Sequence, residues 1–325
     1  MKKVVQFGAG KIGRGFLAEL FNQSGYEIVF VDIDAEVLSN INNKGAYIIK
    51  IVGASRPLET GSWLVKVNNI KGISVSDVEK VTDEIANAGL VATAVGTGAL
   101  KSIAPLIAKG LEKRAALQVG KPLNIIICEN LLNASKILKE YILEELQNEF
   151  TDYVEKHLGL VESVVSRMVP IVEESTKKKD PLGIITEEYA HLPVDRNGFK
   201  GRIPKIKGTE PLNNFTSYVE RKLFIHNTAH ALCSYWGYLR GYKYIFEAVL
   251  DNKIENMLHK ALLESGRALC KKHGFSPKSI QDYIDDLLKR FKNRALKDSV
   301  FRGAYDPIRK LGLNERLVGA ANLAL

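Results

Sequence analysis

The chain has 325 residues, of which 46% are hydrophobic and 26% are charged, so its composition is that of a globular protein and excludes a disordered or fibrous one. This length exceeds what one hydrophobic core usually serves, which predicts two domains. The formal net charge of +9 favours a small anionic ligand over nucleic acid, because the basic residues are scattered apart from the run Lys177–Lys179.

The cysteines and the apolar segments indicate the cellular setting. Cys128, Cys233 and Cys270 are odd in number and far apart, so they predict no disulfide framework and fit a reducing compartment. No stretch reaches the roughly 18 apolar residues of a membrane span, and glycines soon interrupt the apolar run near the N-terminus. We therefore expect a cytoplasmic protein whose partner is neither a membrane nor nucleic acid.

The first half of the chain alternates short apolar runs with helical stretches. Strands are predicted at residues 3–7, 27–31, 90–95 and 123–128, and a helix at residues 13–24. Such alternation indicates βαβ units and a parallel sheet. Residues 55–78 depart from the pattern and are predicted to form a small insertion of strands and loops.

The second half becomes helical after a short mixed region. Strands are predicted around Val164, Ile184–Glu187 and Tyr189, a polar turn at Lys177–Pro181, and helices at residues 215–240, 244–273 and 277–292. The loop Asp195–Gly198 is the predicted boundary between residues 1–195 and 196–325. The predicted fold class is α/β, with a doubly wound Rossmann-type N-terminal domain followed by a mostly α-helical C-terminal domain.

A glycine-rich turn follows the first predicted strand and opens the first predicted helix. Its residues are Gly8, Ala9, Gly10, Lys11, Ile12 and Gly13, which give the pattern GxGxxG. In this context the first glycine allows a tight turn, the second lets a pyrophosphate approach the backbone, and the third permits close packing of helix on sheet. The turn therefore predicts a dinucleotide site.

An acidic residue closes the second strand about twenty residues after this turn, the offset of such sites. Asp32 is expected to accept hydrogen bonds from the ribose hydroxyls and to repel a 2′-phosphate, and no arginine follows to neutralise that phosphate. NAD is therefore predicted over NADP. Thr93, Val95 and Gly96 end another strand at the same edge and are predicted to line the cofactor crevice, although a simple strand-ending turn would explain Thr93 equally well.

One predicted helix carries an unusual group of polar side chains. Lys222, His226, Asn227 and His230 fall within an arc of about 140° on an ideal helix. Zinc is not expected, because the cysteines are isolated and the pair His226 and His230 lacks the intervening glutamate of a zinc protease. If the dinucleotide serves to oxidise an alcohol, some group must take up the hydroxyl proton. Without a metal, a lysine or histidine base would do so, and hydrogen-bond donors would stabilise the alkoxide that develops. A polar stripe on a surface helix would also produce this spacing.

The chain resembles the polyol-specific long-chain dehydrogenases over essentially its whole length, and the pattern K-x-x-x-x-N-x-x-H at Lys222 is specific to that family. The matching blocks are Phe7–Phe16, Thr93–Gly96, Pro122–Ile126 with Cys128–Asn130, Arg167 with Val169–Pro170, Asp180–Leu182, Phe199–Gly201, Val219–Phe224, Asn227–His230 and Pro307–Leu311.

The resemblance implies an NAD-dependent enzyme that interconverts mannitol 1-phosphate and fructose 6-phosphate without a metal. It implies that Lys222 is the general base, that Asn227 and Asn130 hydrogen-bond the reacting oxygen, and that His230 positions the substrate hydroxyl. His226 stands where relatives usually have an aliphatic residue and is left out. A free polyol or hexonate oxidoreductase of the same family, acting on a fructose- or tagaturonate-like sugar, and a non-catalytic nucleotide-binding module stay open as alternatives, as does the oligomeric state.

A phosphorylated sugar needs cations at the end of the molecule far from the carbonyl. Arg302, Arg309 and Lys310 lie near the chain's end, the last two in a block that matches the family, and are predicted to bind this phosphate. Alternatively, Arg309 and Lys310 cap and solvate the end of a helix. Tyr305, which stands where the phosphate-ester enzymes tend to have arginine, favours that alternative. The chain also ends earlier than its relatives, which continue with several more helices.

Overall fold

A computed structural model of the chain describes residues 2–53, 62–170 and 180–325. The chain forms two compact units, the first made of Met1–Ile51 and Trp63–Asn213 and the second of Val52–Ser62 and Asn214–Leu325. The loop at Asp195 that was predicted as the domain boundary thus lies inside the first unit. The basic run Lys177–Lys179 and part of the predicted insertion lie outside the described residues.

The strands of the described residues, in chain order, are β1 Lys2–Phe7, β2 Tyr26–Asp32, β3 Ala46–Val52, β4 Ser62–Asn68, β5 Ile70–Ser74, β6 Leu90–Thr93, β7 Leu123–Ile127, β8 Leu158–Glu162, β9 Ile184–Glu187, β10 Leu192–Asp195 and β11 Thr209–Leu212. Six of them form one parallel sheet in the order β5-β2-β1-β6-β7-β8. This is the doubly wound order, whose connections reverse beside β1, and it confirms the predicted fold class.

The edge strand β5 corrects the prediction for residues 55–78. Its Ile70–Ser74 segment pairs in parallel with β2 and so belongs to the main sheet rather than to an insertion. The pattern was missed because an edge strand with a lysine and a glycine is barely apolar. The strands β3 and β4 do stand apart, in a three-stranded sheet of order β4-β3-β9, and β10 pairs with β11.

Both faces of the main sheet are covered, as a parallel sheet requires. Among the described residues, the helices of the first unit are α1 Ala18–Gln23, α2 Ala35–Lys44, α3 Val78–Asn87, α4 Leu100–Ala116, α5 Ala134–Glu145 and α6 Thr151–His157. Successive residues of β1 point to opposite faces: Val4 packs in one core with Phe16 and Phe21, while Val5 packs in the other with Ile85 and Ile107. Two apolar cores, one on each face of the sheet, therefore hold β1, the central strand whose carboxyl end leads into the glycine turn.

The second unit is helical, as predicted. Its helices within residues 214–325 are α7 Phe215–Arg221, α8 Thr228–Leu239, α9 Ile245–Leu250, α10 Asn252–His273, α11 Pro277–Phe291, α12 Val300–Ala304, α13 Pro307–Lys310 and α14 Val318–Ala324. A wide turn at Lys222–Asn227 joins α7 to α8 without a break. The predicted helix 244–273 is divided at Asp251, whose side chain caps α10 by accepting from the backbone N–H groups of Lys253 and Ile254. Among the described residues, no helix has the length and apolarity needed to cross a membrane.

Candidate functional site

The glycine turn after β1 has the geometry of a phosphate cradle. Gly8 has a φ of +94°, and a Cβ there would lie 2.3 Å from the carbonyl oxygen of Ala94. A Cβ on Gly13 would lie 2.0 Å from the carbonyl oxygen of Gly8, whereas one on Gly10 would meet nothing within 4 Å. Gly8 and Gly13 therefore allow the backbone to close up, and Gly10 leaves open space at the N-terminus of a helix, where an anion is stabilised.

Asp32 lies at the end of β2 and is bonded directly to this turn. Its carboxylate accepts hydrogen bonds from the backbone N–H groups of Ala9 at 2.5 Å, Ile33 at 2.7 Å and Asp34 at 3.0 Å. A carboxylate has about four lone-pair positions, so acceptor capacity is left for a hydroxyl group. Open space at a helix N-terminus and a remaining acceptor position on Asp32 are features that fit a dinucleotide site.

Glu129 holds the loop after β6. The sequence motifs predict no role for this residue, although it lies in a block that matches the family. Its carboxylate accepts hydrogen bonds from the backbone N–H groups of Val95 at 2.9 Å and Gly96 at 2.8 Å. Gly96 is exposed with a φ of +88°, which suits glycine. Thr93 is fully buried, and its hydroxyl has no hydrogen-bond partner among the described residues. Asn130 follows Glu129 and is exposed.

In the second unit, the predicted base lies in the wide turn between α7 and α8. Lys222 and Asn227 are the first and last residues of this π-helical turn, and His230 lies one turn further along. Such turns are rare and occur frequently at functional sites. Lys222 is partly buried; burial lowers the pKa of its amine to about 8, and the positive charge of Arg316 acts in the same direction. The amine can therefore gain and lose a proton near neutral pH.

His226, the other polar residue of this turn, belongs to the core. It is buried, and its ring meets that of Phe291 edge-on with 6.0 Å between the centroids. Burial holds the pKa of its imidazole well below the usual value, and nearby positive charges, first that of Arg290, act in the same direction. The ring is therefore neutral.

His230 is part of a network that includes a second residue missed from the sequence. Its Nε2 lies 2.9 Å from Oδ2 of Asp298, and the other oxygen of Asp298 accepts from Nε and Nη2 of Arg302 at 2.9 and 2.6 Å. Burial would raise the pKa of Asp298, but hydrogen bonds and charges from His230 and Arg302 lower it to about 2. The i,i+4 spacing of Asp298 and Arg302 is the sequence signal that could have found this carboxylate.

The three cations predicted to bind a phosphate lie in α12 and α13, and each has an acidic or carbonyl partner. Arg302 is bound to Asp298, as described above. Arg309 lies 2.7 Å from Asp306 through Nε, and the Lys310 amine donates to the carbonyl oxygen of Gly303 at 2.5 Å. Arg302 and Arg309 are about half exposed, whereas Lys310 is buried and its pKa is lowered, first by that burial. The structure brings all three together within one short stretch of the second unit.

No group of three or more His, Cys, Asp or Glu side chains within the described ranges is arranged to hold a metal ion.

Comparison with known families gives two consecutive matches. Residues 2–208 match the mannitol dehydrogenase Rossmann domain, and residues 214–323 match the mannitol dehydrogenase C-terminal domain. The chain is 41% identical over 323 residues to the mannitol-1-phosphate 5-dehydrogenase of Thermoanaerobacter pseudethanolicus, which covers 99% of this chain and 81% of the relative. It is 39% identical over 318 residues to the enzyme of the same name from Geobacillus stearothermophilus, covering 98% and 80%.

Solved structures resemble the chain in fold. A substrate-free D-sorbitol dehydrogenase superposes with a TM-score of 0.83 at 18% identity, covering 98% of this chain and 75% of the other. The mannitol 2-dehydrogenase of Pseudomonas fluorescens, solved as a ternary complex with NAD and D-mannitol, superposes with a TM-score of 0.79 at 15% identity, covering 99% and 74%. These structures show a shared fold. The resemblance to the polyol dehydrogenases deduced from the sequence motifs is confirmed by the two family matches and the two relatives at 41% and 39% identity.

Proposed function

The chain belongs to the mannitol dehydrogenase family, and on that premise we propose that it interconverts mannitol 1-phosphate and fructose 6-phosphate with NAD as the hydride carrier. The two relatives that are about 40% identical over nearly the whole chain carry the name mannitol-1-phosphate 5-dehydrogenase, which supports the phosphorylated substrate. The basic residues of α12 and α13 are consistent with an anionic sugar.

The observation that carries the proposal is the Lys222 amine in the wide turn between α7 and α8. A lysine in water is protonated at neutral pH and takes up no further proton, but burial lowers the pKa of this amine to about 8. A base with a pKa near the working pH combines a useful neutral fraction with the strength to remove a hydroxyl proton. Lys222 therefore takes the proton of the C5 hydroxyl during oxidation and returns it to the carbonyl oxygen during reduction.

The oxygen that loses this proton becomes negatively charged before the carbonyl forms. The side-chain amides of Asn227 and Asn130 are donors suited to that charge, and in this proposal both hydrogen-bond the oxygen as the charge develops. His230 binds a substrate hydroxyl and orients the sugar. Asn227 shares the wide turn with Lys222, so one backbone segment carries both the base and a donor.

The glycine turn and Asp32 of the first unit support NAD as the cofactor. Gly8, Gly10 and Gly13 would hold its pyrophosphate. Asp32 would accept from a ribose hydroxyl with the acceptor capacity that the backbone leaves free, and its charge disfavours the 2′-phosphate of NADP. Val95 and Gly96, held by Glu129, would line the crevice beside it. When bound, NAD supplies the acceptor for the hydride that leaves the carbon atom.

The test is an NADH absorbance assay that compares fructose 6-phosphate, fructose and tagaturonate in parallel. We expect fructose 6-phosphate to be reduced with by far the highest kcat/KM. Preference for fructose or tagaturonate would move the chain to the free-polyol or hexonate branch of the family. NADH binding without turnover of any of the three sugars would instead indicate a non-catalytic nucleotide-binding module.

A further inference from the structure

Asp298 joins His230 to Arg302, and neither the sequence motifs nor the family match gives it a role. We propose that Asp298 is a positioning residue, which fixes His230 in the tautomer that carries its proton on Nε2 and so leaves Nδ1 as the acceptor for a substrate hydroxyl. This proposal rests on the proposed function, in which His230 binds a hydroxyl group of the sugar.

The contacts divide the two oxygens of the carboxylate between two partners. Oδ2 lies 2.9 Å from Nε2 of His230, while Oδ1 accepts from Nε and Nη2 of Arg302 at 2.9 and 2.6 Å. The Asp298 side chain is only 8% exposed and that of His230 only 17%. A buried carboxylate held between a guanidinium and an imidazole stays ionised, in agreement with its lowered pKa.

The backbone around Asp298 is fixed independently of these side chains. Its carbonyl oxygen accepts from the N–H of Ile245 at 2.8 Å, and the N–H of Val300 donates to the carbonyl oxygen of Lys243 at 3.0 Å. Ser299 and Tyr244 form an antiparallel bridge between the same two segments. Backbone contacts with the start of α9 therefore hold Asp298 in place, independently of the contact between its carboxylate and His230.

The imidazole is also held on its other sides. Its ring meets Phe291 edge-on with 5.8 Å between the centroids. Gly303 lies so close that an added Cβ would be 2.8 Å from Cε1 of His230 and 1.9 Å from Oγ of Ser234. Because packing fixes the ring plane and Asp298 binds one of its nitrogens, the ring has one orientation.

The chemistry of the partners decides the tautomer. An ionised carboxylate only accepts hydrogen bonds, so Nε2 must donate, and in the neutral ring Nδ1 then has a lone pair. Arg302 only donates, so it also needs an acceptor. Asparagine at position 298 cannot accept from both His230 and Arg302, because its single oxygen can face only one of them. If the oxygen faces His230, the NH₂ group faces the guanidinium, which is also a donor. If the oxygen faces Arg302, the NH₂ group faces Nε2 of His230 and favours the tautomer with its proton on Nδ1. Aspartate meets both demands.

The tautomer itself is measured on the unaltered protein. A long-range ¹H–¹⁵N spectrum of ¹⁵N-histidine-labelled protein, with His230→Asn to assign the resonance, distinguishes protonation at Nε2 from protonation at Nδ1. At a pH where the ring is neutral, we expect the Nε2–H form; the Nδ1–H form overturns the proposal. This readout needs neither substrate nor turnover, so it stands apart from a failure of the proposed function.

The consequence for the reaction is measured with Asp298→Asn. We expect kcat with fructose 6-phosphate to fall by about tenfold to a hundredfold, the cost of a misoriented group, with the NADH Kd and the melting temperature close to those of the parent. The matched control is Asp285→Asn, which removes the same charge from an exposed aspartate lying 3.8 Å from Nε2 of His259. It is expected to leave kcat unchanged.

Two further backgrounds separate positioning from a general structural effect. With His230 already replaced by Asn, Asp298→Asn should lower kcat further by less than about threefold, because the effects of two residues that act through one another are not additive. With Arg302 replaced by Ala, the amide oxygen is free to face His230, and the penalty of Asp298→Asn should shrink. An equal penalty in all three backgrounds, or a folded Asp298→Asn protein with parental kcat, refutes the proposal. If Asp298→Asn does not fold, the tautomer measurement decides.

Discussion

The carboxylate of Asp32 accepts a 2.5 Å hydrogen bond from the backbone N–H of Ala9. Asp32, at the end of β2, therefore also stabilises the glycine turn at the end of β1, so the two do not act independently on a ligand. Adjacent parallel strands make this possible, since Phe7 and Val31 are paired in register and their carboxyl ends are level. A change at Asp32 should therefore alter both the preference for NAD and the geometry of the turn.

Replacing Asp32 by Ala is expected to narrow the preference for NAD over NADP, because the carboxylate that disfavours a 2′-phosphate is lost. NAD should also bind more weakly, because the turn loses its acceptor at Ala9. The measurement is kcat/KM with each cofactor, and Glu36→Gln, which alters an exposed acidic residue in the first turn of α2, serves as the control. Equal efficiency of the parent protein with NAD and NADP would contradict the prediction.

Replacing Glu129 by Ala tests the loop after β6. Two backbone N–H groups, those of Val95 and Gly96, lose an ionised acceptor, and hydrogen bonds of this kind contribute about 1.5–3 kcal/mol each. We expect the NADH Kd, measured by fluorescence titration, to rise at least about tenfold. Glu140→Gln on the exposed face of α5 is the control. An unchanged Kd in a folded protein would show that the loop does not depend on this carboxylate.

Replacing Lys222 by Ala should lower kcat by about 10²–10⁴-fold or more, because the general base is lost. Lys222→Arg keeps the positive charge but does not release its proton, so it should be similarly inactive. NADH should bind both variants normally, since Lys222 belongs to the second unit, and Lys260→Ala on the exposed surface of α10 should retain full activity. The assignment is wrong if either Lys222 variant keeps more than about a tenth of the parental rate.

The pH dependence follows from the lowered pKa of Lys222. Oxidation needs the neutral amine, and with a pKa of about 8 instead of 10.5 the neutral fraction rises up to that pH and then saturates. The logarithm of kcat/KM for mannitol 1-phosphate should therefore rise to about pH 8 and become level, while fructose 6-phosphate reduction, which needs the protonated amine, should decline above it. Profiles that turn only near 10.5, or not at all, would contradict this role for Lys222.

The phosphate prediction is tested on two substrates that differ only in the phosphate. Arg309→Ala should raise KM for fructose 6-phosphate about tenfold to a hundredfold and leave KM for fructose unchanged, because a charge-assisted pair contributes about 1.5–3 kcal/mol. Arg302→Ala should share the effect on KM and, through Asp298, also lower kcat. Arg267→Ala, on the exposed face of α10, is the control. If Arg309→Ala and Arg302→Ala affect both substrates equally or not at all, these arginines do not bind the phosphate.

Much of the fold could be predicted from local pattern. The buried strands β1, β2, β6 and β7 are short apolar runs, and a parallel sheet covered on both faces requires such runs. The edge strand β5 was misassigned because its exposed side needs no apolar residues. The predicted helix 244–273 contained no visible break, because the signal is a single Asp251 that starts a new helix by capping it.

The sequence by itself determined the glycine turn and Asp32, because each depends on residue type and on spacing along one segment. Spacing also grouped Lys222, His226, Asn227 and His230, but only the resemblance to the family separated His226 from the other three. Only the tertiary structure decided the contacts between segments distant in the chain. Glu129 meets Gly96 33 residues away, and Asp298 meets His230 68 residues away. The lowered pKa of Lys222 belongs to the same class, because it depends on burial and on the charge of Arg316. Desolvation and hydrogen bonding are set by what surrounds a group in space, and the chain order does not specify those surroundings.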